Sequence, residues 1–296
     1  MLDCPTDGSD LIVKEYARKY NNIKIIENSS NLNIGRSRNA GLHLAQGKYI
    51  AFCDHDDEVM PEMYNSMVAK AEEMEADIVL GVPEYVYDDP AQNEVYYYPE
   101  YEGDIRKKLL SLIIGKENDE EKWAFYFSHG VIWDNIYRRE FLNANDICFV
   151  DNNKITFEDN LFSIDTLLRA QKVVVHNEIV YRHIINGKNT ASTYVYSSYP
   201  LVCGYIDYLY KTLTANKCFE DYRTRFFNSV VMYVTGSFVT EIKKERIQPW
   251  NIIKAYMYIK KRSIIKEAFR NSLVKPQSNR FLQNSILNLI NLFFKL

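Results

Sequence analysis

Residues 47–57, Gly-Lys-Tyr-Ile-Ala-Phe-Cys-Asp-His-Asp-Asp, join a short apolar run to three carboxylates within four positions. The apolar run, bounded by glycine, is typical of a buried β-strand. Neighbouring carboxylates repel one another and burial penalises their ionised forms, so a divalent cation would relieve the cost of folding them. Because ligands of open α/β sheets bind at the carboxyl ends of strands, this pattern indicates a site for Mg²⁺ or Mn²⁺ and the phosphates of a nucleotide.

The same residues also suit a purely structural turn. Asp-rich turns are common, and an acidic residue ahead of Met60-Pro61-Glu62 could simply begin a helix. An isolated Asp-x-Asp pattern does not separate the two interpretations, so the decision depends on the rest of the chain.

The order of strand and helix patterns predicts an α/β domain followed by helices. Strand-like apolar runs alternate with helical patterns to about residue 195, and only helical patterns follow. We therefore predict one domain over residues 1–195 and a helical region over residues 196–296. Helices are predicted over residues 9–20, 35–45, 61–74, 103–114, 159–170, 198–215, 219–243, 249–270 and 278–295. Strands are predicted over residues 23–26, up to 53, 77–87, 95–98, 131–137, 173–175 and 179–181.

Charge is unevenly distributed along the 296 residues, whose net charge is −3. Residues 241–296 contain 12 Lys and Arg against 3 Asp and Glu, a net charge of +9. Residues 1–240 contain 24 Lys and Arg against 36 Asp and Glu, a net charge of −12. A basic region on an acidic body indicates a negatively charged partner for that region. The acidic body and the lack of a recognised motif argue against nucleic acid as this partner.

Apolar residues of the basic region recur at helical spacing and alternate with lysines. The positions are Ile252, Ile253, Tyr256, Ile259 and Ile264, followed by Leu282, Ile286, Leu289, Ile290 and Phe293. Amphipathic basic helices suit an anionic membrane surface. Packing of the same apolar positions on the N-terminal domain, with the lysines in solvent, explains the pattern equally well.

Cysteine usage and the first residues bear on location. The five cysteines are scattered and form no Cys-x-x-Cys pair, which favours a reduced cytosolic protein over a disulfide framework or a zinc site. The chain shows no basic-then-apolar leader pattern and no apolar run long enough to span a bilayer. We expect a cytoplasmic protein, with peripheral contact at the inner face of the cell membrane through the basic region.

Several segments, taken in order, resemble the motifs of family-2 glycosyltransferases. Residues 3–9 are similar to the family's D-G-S-T-D-G-S segment, and residues 33–41 to its N-x-G-x-x-x-A-R-N-x-G segment. Residues 47–57 match G-x-Y-I-x-F-x-D-x-D-D, and residues 133–142 resemble the W-N-K-L-Y-R-R-E-F-L run of bacterial members. Residues 157–160 carry the E-D motif. Each motif is weak, but their order and spacing across residues 3–195 are specific. The resemblance implies a Rossmann-like GT-A domain with a C-terminal helical appendage.

The resemblance departs from the family pattern at the beginning of the chain. Family members normally begin with a strand and a P-x-Y-N turn, whereas this chain starts inside the second motif. The first strand, the first helix and most of the next strand are therefore expected to be absent, which leaves an exposed sheet edge. This departure supports an alternative hypothesis, a catalytically inactive remnant that acts as an interaction module.

The resemblance implies transfer of a sugar from a nucleotide-diphosphate sugar, with a UDP-sugar favoured, to a glycan or lipid-linked acceptor during surface-polysaccharide synthesis. A bound Mn²⁺ or Mg²⁺ would stabilise the charge that builds on the departing diphosphate. The family pattern assigns Asp3 to the nucleotide base, Asp56 to the ribose and metal, and Asp57 to the metal. Asp54 completes the nucleotide-sugar motif.

On the acceptor side, Asp159 matches the family's base, which removes the proton of the attacking hydroxyl. A single carboxylate there fits an inverting, one-step displacement. Glu158 beside it is a candidate acceptor contact, although both residues also favour a helix N-terminus. Arg38 is the candidate for the diphosphate, because a guanidinium suits phosphate bidentately, with a helix-surface arginine as the alternative.

Two aromatic positions and a histidine complete the candidates. Trp133 and Tyr137 could stack on the acceptor sugar, and burial in the core explains them as well. His183 lies where family members often carry a residue near the diphosphate, and a structural histidine is equally compatible with its position.

Overall fold

The computed structural model describes residues 1–98, 101–118, 130–185, 198–243 and 249–274, with residue 288 alone beyond them. Its helices in the N-terminal half are α1 (Ser9–Lys19), α2 (Asn33–Leu44), α3 (Met63–Met74), α4 (Ile105–Ile114), α5 (Arg139–Ala144) and α6 (Glu158–Arg169). The later helices are α7 (Tyr199–Ala215), α8 (Phe219–Lys243), α9 (Pro249–Ile259) and α10 (Ser263–Asn271). The strands are β1 (Tyr49–Ala51), β2 (Glu58–Val59), β3 (Ile78–Tyr87), β4 (Glu94–Val95), β5 (Asn135–Arg138) and β6 (Val173–Ile185).

The strands form one mixed sheet in the order β1-β5-β3-β6-β2, with β4 paired to β3. β3 and β6 run parallel, whereas the other pairs are antiparallel. Val79 in β3 lies opposite Val174 of β6 and Ile136 of β5, so β-branched residues fill the centre of the sheet. β3 and β6 therefore form the backbone on which the shorter strands are placed.

Helices cover both faces of the sheet. On one face, α3 buries Met63, Met67 and Ala71 against Val79 and Tyr181. On the other face, α4 and α6 pack over the strands, and most of the α6 surface is buried. The sheet thus forms the middle layer of the α/β part, as the alternating sequence pattern predicts.

The hydrophobic core continues without interruption from the sheet into the C-terminal helices. One buried cluster runs from Ile50 and Ile78 to Phe226 in α8 and Phe269 in α10. A polar contact reinforces this packing, because the Arg225 guanidinium donates hydrogen bonds to the carbonyls of Ser111, at 3.2 Å, and Gly115, at 2.8 Å. The Gly115 carbonyl lies just beyond the C-terminal end of α4, where helical partners are lacking, whereas the Ser111 carbonyl also accepts from the Gly115 amide at 3.3 Å. The helical region packs on the α/β part and shares its core.

Most predicted elements are confirmed, with the following differences. Residues 23–26 form no strand, although Leu2 makes an isolated parallel bridge to Glu27. The strands predicted at residues 173–175 and 179–181 are one continuous strand, β6. The predicted helix over residues 249–270 is divided into α9 and α10. The short helix α5 and the two-residue strand β2 were not predicted, and β4 reaches only the first residue of the strand predicted over residues 95–98.

The structure bears on one of the two amphipathic segments predicted in the C-terminal region, and the other lies outside the described residues. Ile259 and Ile264, predicted for a membrane face, are 0% and 8% exposed and pack in the core. The predicted helix over residues 278–295 lies outside the described residues. Among the helices of the described ranges, none is both long and apolar enough to cross a bilayer.

The acidic loop, residues 54–57, passes from β1 to β2 and is anchored on β6. The fully enclosed Asp57 carboxylate accepts hydrogen bonds from the Tyr181 hydroxyl at 2.9 Å and the His183 Nδ1 at 3.1 Å. It also accepts one from the Ile184 amide at 2.9 Å. The Tyr181 hydroxyl in turn accepts from the Asp54 amide at 3.0 Å. Burial alone would raise the pKa of Asp57, but the hydrogen bonds from His183 and Ile184 outweigh it and lower this pKa.

Gly81 in β3 is required by close packing between strands. A Cβ atom at this position would overlap Val180 and lie 2.7 Å from the Asp134 carbonyl oxygen. We expect Gly81→Ala to lower the free energy of unfolding by about 1–3 kcal/mol, measured by urea denaturation. Gly41→Ala in α2 is the control, because its Cβ would lie 3.7 Å from Met1 and helix propensity would add about 0.5–1 kcal/mol of stability. Equal effects of the two substitutions would contradict this account.

The anchored Asp57 predicts a specific acid sensitivity. Because its pKa is lowered in the fold, Asp57 contributes stability that is complete above its unfolded-state pKa of 3.8 and is lost as the pH falls through its lower native value. We expect Asp57→Asn to reduce the loss of unfolding free energy on acidification below about pH 4, measured by urea denaturation across pH. Asp56→Asn, on the same loop but outside this network, is expected to keep the wild-type slope. An unchanged slope in Asp57→Asn would refute the assignment.

Candidate functional site

Arg38 lies between carboxylates that come from distant parts of the chain. Its Nη2 atom donates to Asp54 Oδ1 at 2.8 Å, and its Nη1 atom donates to Glu158 Oε1 at 3.0 Å. The Arg38 side chain is only 13% exposed, and its guanidinium lies over the Phe149 ring, 5.4 Å from the centroid. Charge-assisted hydrogen bonds of this kind are stronger when partly shielded from water. Helix α2, the acidic loop and helix α6 therefore meet at the guanidinium of Arg38.

The beginning of α6 holds two adjacent carboxylates in different environments. Glu158 is buried, and its second oxygen accepts a hydrogen bond from Asn152 Nδ2 at 2.6 Å. Asp159 is partly exposed, and its Oδ1 atom accepts from the Asn160 amide at 2.8 Å. Burial raises the pKa of Asp159 above its ordinary value, and the charge of Glu158 raises it further, whereas Arg38 opposes both. Asp159 is thus a carboxyl group tuned toward taking up a proton near neutral pH.

Asp3 is held in place although it lies near the first residue of the chain. The Leu2 amide donates to the Ile26 carbonyl at 2.8 Å, and the Asn28 amide donates to the Leu2 carbonyl at 2.9 Å. The Asp3 Oδ1 atom accepts from Asn28 Nδ2 and from the Leu32 amide, both at 2.8 Å. Burial alone would raise the pKa of Asp3, but hydrogen bonds from Leu32 and Asn28 keep it below its ordinary value. Asp3 is therefore ordered beside the start of α2.

The structure brings most of the predicted residues together. Arg38, Asp54, Glu158 and Asp159 form one cluster, and Asp57 is anchored at the other end of the acidic loop. Asp3 is connected to this cluster indirectly, because Asn28 also donates to Ser37 at 2.9 Å, next to Arg38 in α2. The cluster combines a shielded cation, several carboxylates and one carboxyl group of raised pKa.

The fit of the site to a divalent cation depends on which oxygens are available. Among the described residues, no three His, Cys, Asp or Glu side chains converge as a ready metal site. Asp57 is fully enclosed with both oxygens accepting hydrogen bonds, so metal binding would have to displace His183 or Tyr181. Asp56 is 31% exposed on the same loop. Since Mg²⁺ is commonly held by one or two carboxylates together with substrate phosphates, the site fits a cation shared with a diphosphate and not an all-protein cage.

Two predicted acceptor contacts have other partners in the structure. Trp133 is 6% exposed, and its ring stacks on Tyr181 at 4.6 Å and on His183 at 5.2 Å between centroids. The carboxylate of Glu158 is occupied by Arg38 and Asn152. Trp133 is packed and Glu158 is paired, so neither side chain fits the predicted contact to an acceptor. Tyr137, 1% exposed, likewise belongs to the core.

Tyr181 and Asn152 are site residues that the motifs did not identify. Tyr181 ties both ends of the acidic loop to β6, and Asn152 joins Glu158 to α2 by accepting from the Gly35 amide at 2.8 Å. Nothing distinguishes Tyr181 among 23 tyrosines in the sequence, although its place two residues before His183 was a usable signal. His183 itself lies next to the acidic loop, where it holds Asp57.

Comparison with known proteins finds relatives that are named glycosyltransferases. A cholesterol galactosyltransferase of Borreliella burgdorferi is 27% identical over 263 residues, which cover 85% of this chain and 68% of the relative. The poly(ribitol-phosphate) beta-N-acetylglucosaminyltransferase TarS of Staphylococcus aureus is 28% identical over 205 residues, which cover 65% of this chain and 31% of TarS. The chain therefore spans between about a third and two thirds of the length of these two relatives.

A solved structure and a family model both match this chain and agree with these relatives. The crystal structure of S. aureus TarS 1–349 in complex with UDP-GlcNAc superposes with a TM-score of 0.65 at 20% identity, covering 99% of this chain and 80% of that chain. This likeness confirms the GT-A fold expected from the motifs. Residues 1–141, which include the acidic loop and most of the segment over residues 133–142, match the family described as "Glycosyl transferase family 2". This part of the chain therefore resembles glycosyl transferase family 2, and the relatives that match longer stretches of the chain are named glycosyltransferases.

Proposed function

We propose that this chain transfers a sugar from a nucleotide-diphosphate sugar, with a UDP-sugar as the favoured donor, to a hydroxyl group of a glycan or lipid-linked acceptor. The match of residues 1–141 to the model of glycosyl transferase family 2 supports the reaction class. The UDP-GlcNAc bound to TarS supports the donor class, since that protein shares the fold. The names of the relatives, which act on cholesterol and on poly(ribitol-phosphate), support an acceptor belonging to the cell envelope.

The observation that carries this proposal is the bridge that Arg38 makes between Asp54 and Glu158. The acidic loop supplies the donor-side carboxylates, and the start of α6 supplies the candidate base one residue after Glu158. Group transfer requires donor and acceptor to be held together in the correct orientation. A single guanidinium that fixes both elements relative to each other meets this requirement.

Asp159 is the proposed general base. Its ionised carboxylate takes the proton from the acceptor hydroxyl as the hydroxyl oxygen attacks the anomeric carbon of the sugar. The new glycosidic bond forms while the bond between the sugar and the diphosphate breaks, and the nucleoside diphosphate leaves with the bonding electrons. One acceptor-side carboxylate and one displacement give inversion at the anomeric carbon. A raised pKa makes Asp159 a stronger base than an ordinary aspartate.

The acidic loop and Asp3 form the proposed donor side. Mn²⁺ or Mg²⁺, when bound, would stabilise charge on the departing diphosphate. Asp56, the partly exposed carboxylate of the loop, would hold this cation together with the phosphates, whereas Asp57 orders the loop through His183. Asp54 and Arg38 border the same space, and Asp3 is the candidate contact to the nucleotide base.

The remaining parts of the proposal concern location and surroundings. We place the enzyme in the cytoplasm, where nucleotide-sugars and lipid-linked acceptors meet at the inner face of the membrane. The basic C-terminal region supports contact with an anionic membrane surface, because it carries a net charge of +9 from residue 241 onward.

Replacement of the proposed base tests the function directly. We expect Asp159→Asn to lower the rate of sugar transfer from a UDP-sugar by about 10²–10⁴, since general base catalysis contributes that much. Binding of UDP, measured by calorimetry with Mn²⁺, should remain. Asp88→Asn, an exposed carboxylate on the turn after β3, is the control and should retain full activity. Transfer at the wild-type rate by Asp159→Asn, or no transfer by the wild-type chain with any UDP-sugar, would refute the proposal.

The pH dependence of transfer tests the coupling between Arg38 and Asp159. Because the positive charge of Arg38 favours the ionised form of Asp159, its removal should raise this pKa further. We expect Arg38→Gln to move the acid limb of the kcat/KM profile to higher pH, and Arg38→Lys to move it less. Arg36→Gln, an exposed arginine of the same helix, is the control. An acid limb at the wild-type position in Arg38→Gln would contradict the coupling, whatever the loss of absolute rate.

A further inference from the structure

The outer face of α9 presents an apolar stripe that the other described residues leave exposed. Trp250, Ile253 and Met257 are 64%, 48% and 46% exposed, and Tyr258 beside them is 37% exposed. Their spacing of three and four residues places the first three on one side of the helix. The opposite side carries Ala255 and Ile259, both 0% exposed, which fix the helix to the core. The helix therefore has two apolar faces, of which only one is used for folding.

This exposed stripe shares only Ile253 with the apolar positions that the sequence pattern suggested. The periodic positions Ile259 and Ile264 turn inward, whereas Trp250 and Met257 turn outward. Single exposed apolar residues are ordinary on protein surfaces, but a contiguous group that includes a tryptophan marks an interaction site. We define Trp250, Ile253 and Met257 as the α9 stripe.

Basic side chains accompany the α9 stripe. Residues 249–274 contain six Lys and Arg but only one acidic residue, Glu267. Glu267 is already paired with Arg223, at 2.6 Å, and Arg262 is paired with Asp207, at 2.8 Å. Lys254, one turn after Trp250, and Lys261, just beyond the end of α9, are exposed and form no ion pair within the described residues. The surface around the stripe is therefore positively charged.

We propose that the α9 stripe is a docking surface for an anionic lipid bilayer. Tryptophan and tyrosine are favoured where an apolar region meets water, and flanking lysines can extend toward lipid phosphates while their aliphatic stems cover apolar surface. Basic residues near an anionic leaflet add an attraction that salt screens. This surface inserts its apolar side chains at the level of the headgroups with α9 lying parallel to the membrane.

A second copy of this chain fits the same surface less well. Symmetric contact between two α9 stripes would bring Lys254 and Lys261 of both copies together, and like charges at a shielded contact oppose association. An anionic bilayer instead neutralises both lysines. The inference rests on the membrane contact within the proposed function and specifies the surface that makes it. Vesicle binding is measured without sugar transfer, so failure of the surface and failure of the enzymatic proposal are distinguishable.

The test uses the full chain and vesicles of defined composition. We expect the wild-type protein to float with phosphatidylcholine vesicles that contain phosphatidylglycerol, to float poorly with pure phosphatidylcholine, and to be released at high salt. The double substitution Lys254→Glu with Lys261→Glu should lower the partition coefficient by about thirtyfold or more. The double substitution Trp250→Ser with Met257→Ser should lower it at least about tenfold, because apolar burial is lost.

Helix α1 offers a matched control for the apolar variants. Leu11 and Tyr16 are 69% and 54% exposed on a helix whose charges nearly balance, with three Lys and Arg against two Asp and Glu. Leu11→Ser with Tyr16→Ser should leave vesicle binding unchanged, and thermal unfolding should show that all variants remain folded. Equal binding to neutral and anionic vesicles, or an equal loss in the α1 variant, would overturn the proposal. A dimer that only the α9 variants abolish, without vesicle binding, would assign the stripe to a second copy and would also overturn it.

Discussion

The arrangement of the site depends on the pairing of one shielded guanidinium with two carboxylates. Arg38 is surrounded by Asp54, Glu158 and the face of Phe149, and its side chain is only 13% exposed. Partial burial of so many charges is costly, and it is tolerated because each charge has a partner of good geometry. Removing any one member leaves the others with unbalanced charge. The same constraint that fixes α2, the acidic loop and α6 also sets the charge that acts on Asp159.

The acidic loop combines a rigid end with an accessible centre. Asp57 is held by Tyr181, His183 and Ile184, so it serves as an internal anchor. Asp56, one residue earlier, keeps a partly exposed carboxylate. The two neighbouring aspartates thus lie in different environments, because the backbone turns the Asp57 side chain toward β6 and leaves the Asp56 side chain partly exposed to solvent. A site that binds a charged ligand benefits from this division, since a preorganised loop loses little entropy on binding.

The C-terminal helices combine a structural role with an available surface. Their inner faces complete the core that begins in the sheet, and Arg225 of α8 satisfies carbonyls at the end of α4. Stability of the α/β part is therefore linked to the helical region. The outer face of α9 takes no part in the core formed by the described residues, yet it carries Trp250 and Met257 beside exposed lysines. Apolar area left in water lowers solubility unless it has a use, which is the physical argument for the membrane contact.

The sequence by itself indicated the resemblance to family-2 glycosyltransferases, the order of most helices and strands, and the residues that gather around the acidic loop. Periodicity and motif spacing are local properties, and they can be read from neighbouring residues. Tertiary structure alone decided which carboxylates are paired, because Arg38 and Glu158 are 120 positions apart. It also assigned Trp133 to packing against Tyr181 and turned Ile259 inward while Trp250 turned outward. A helical pattern shows that apolar faces exist, but only the neighbouring elements determine which face is buried.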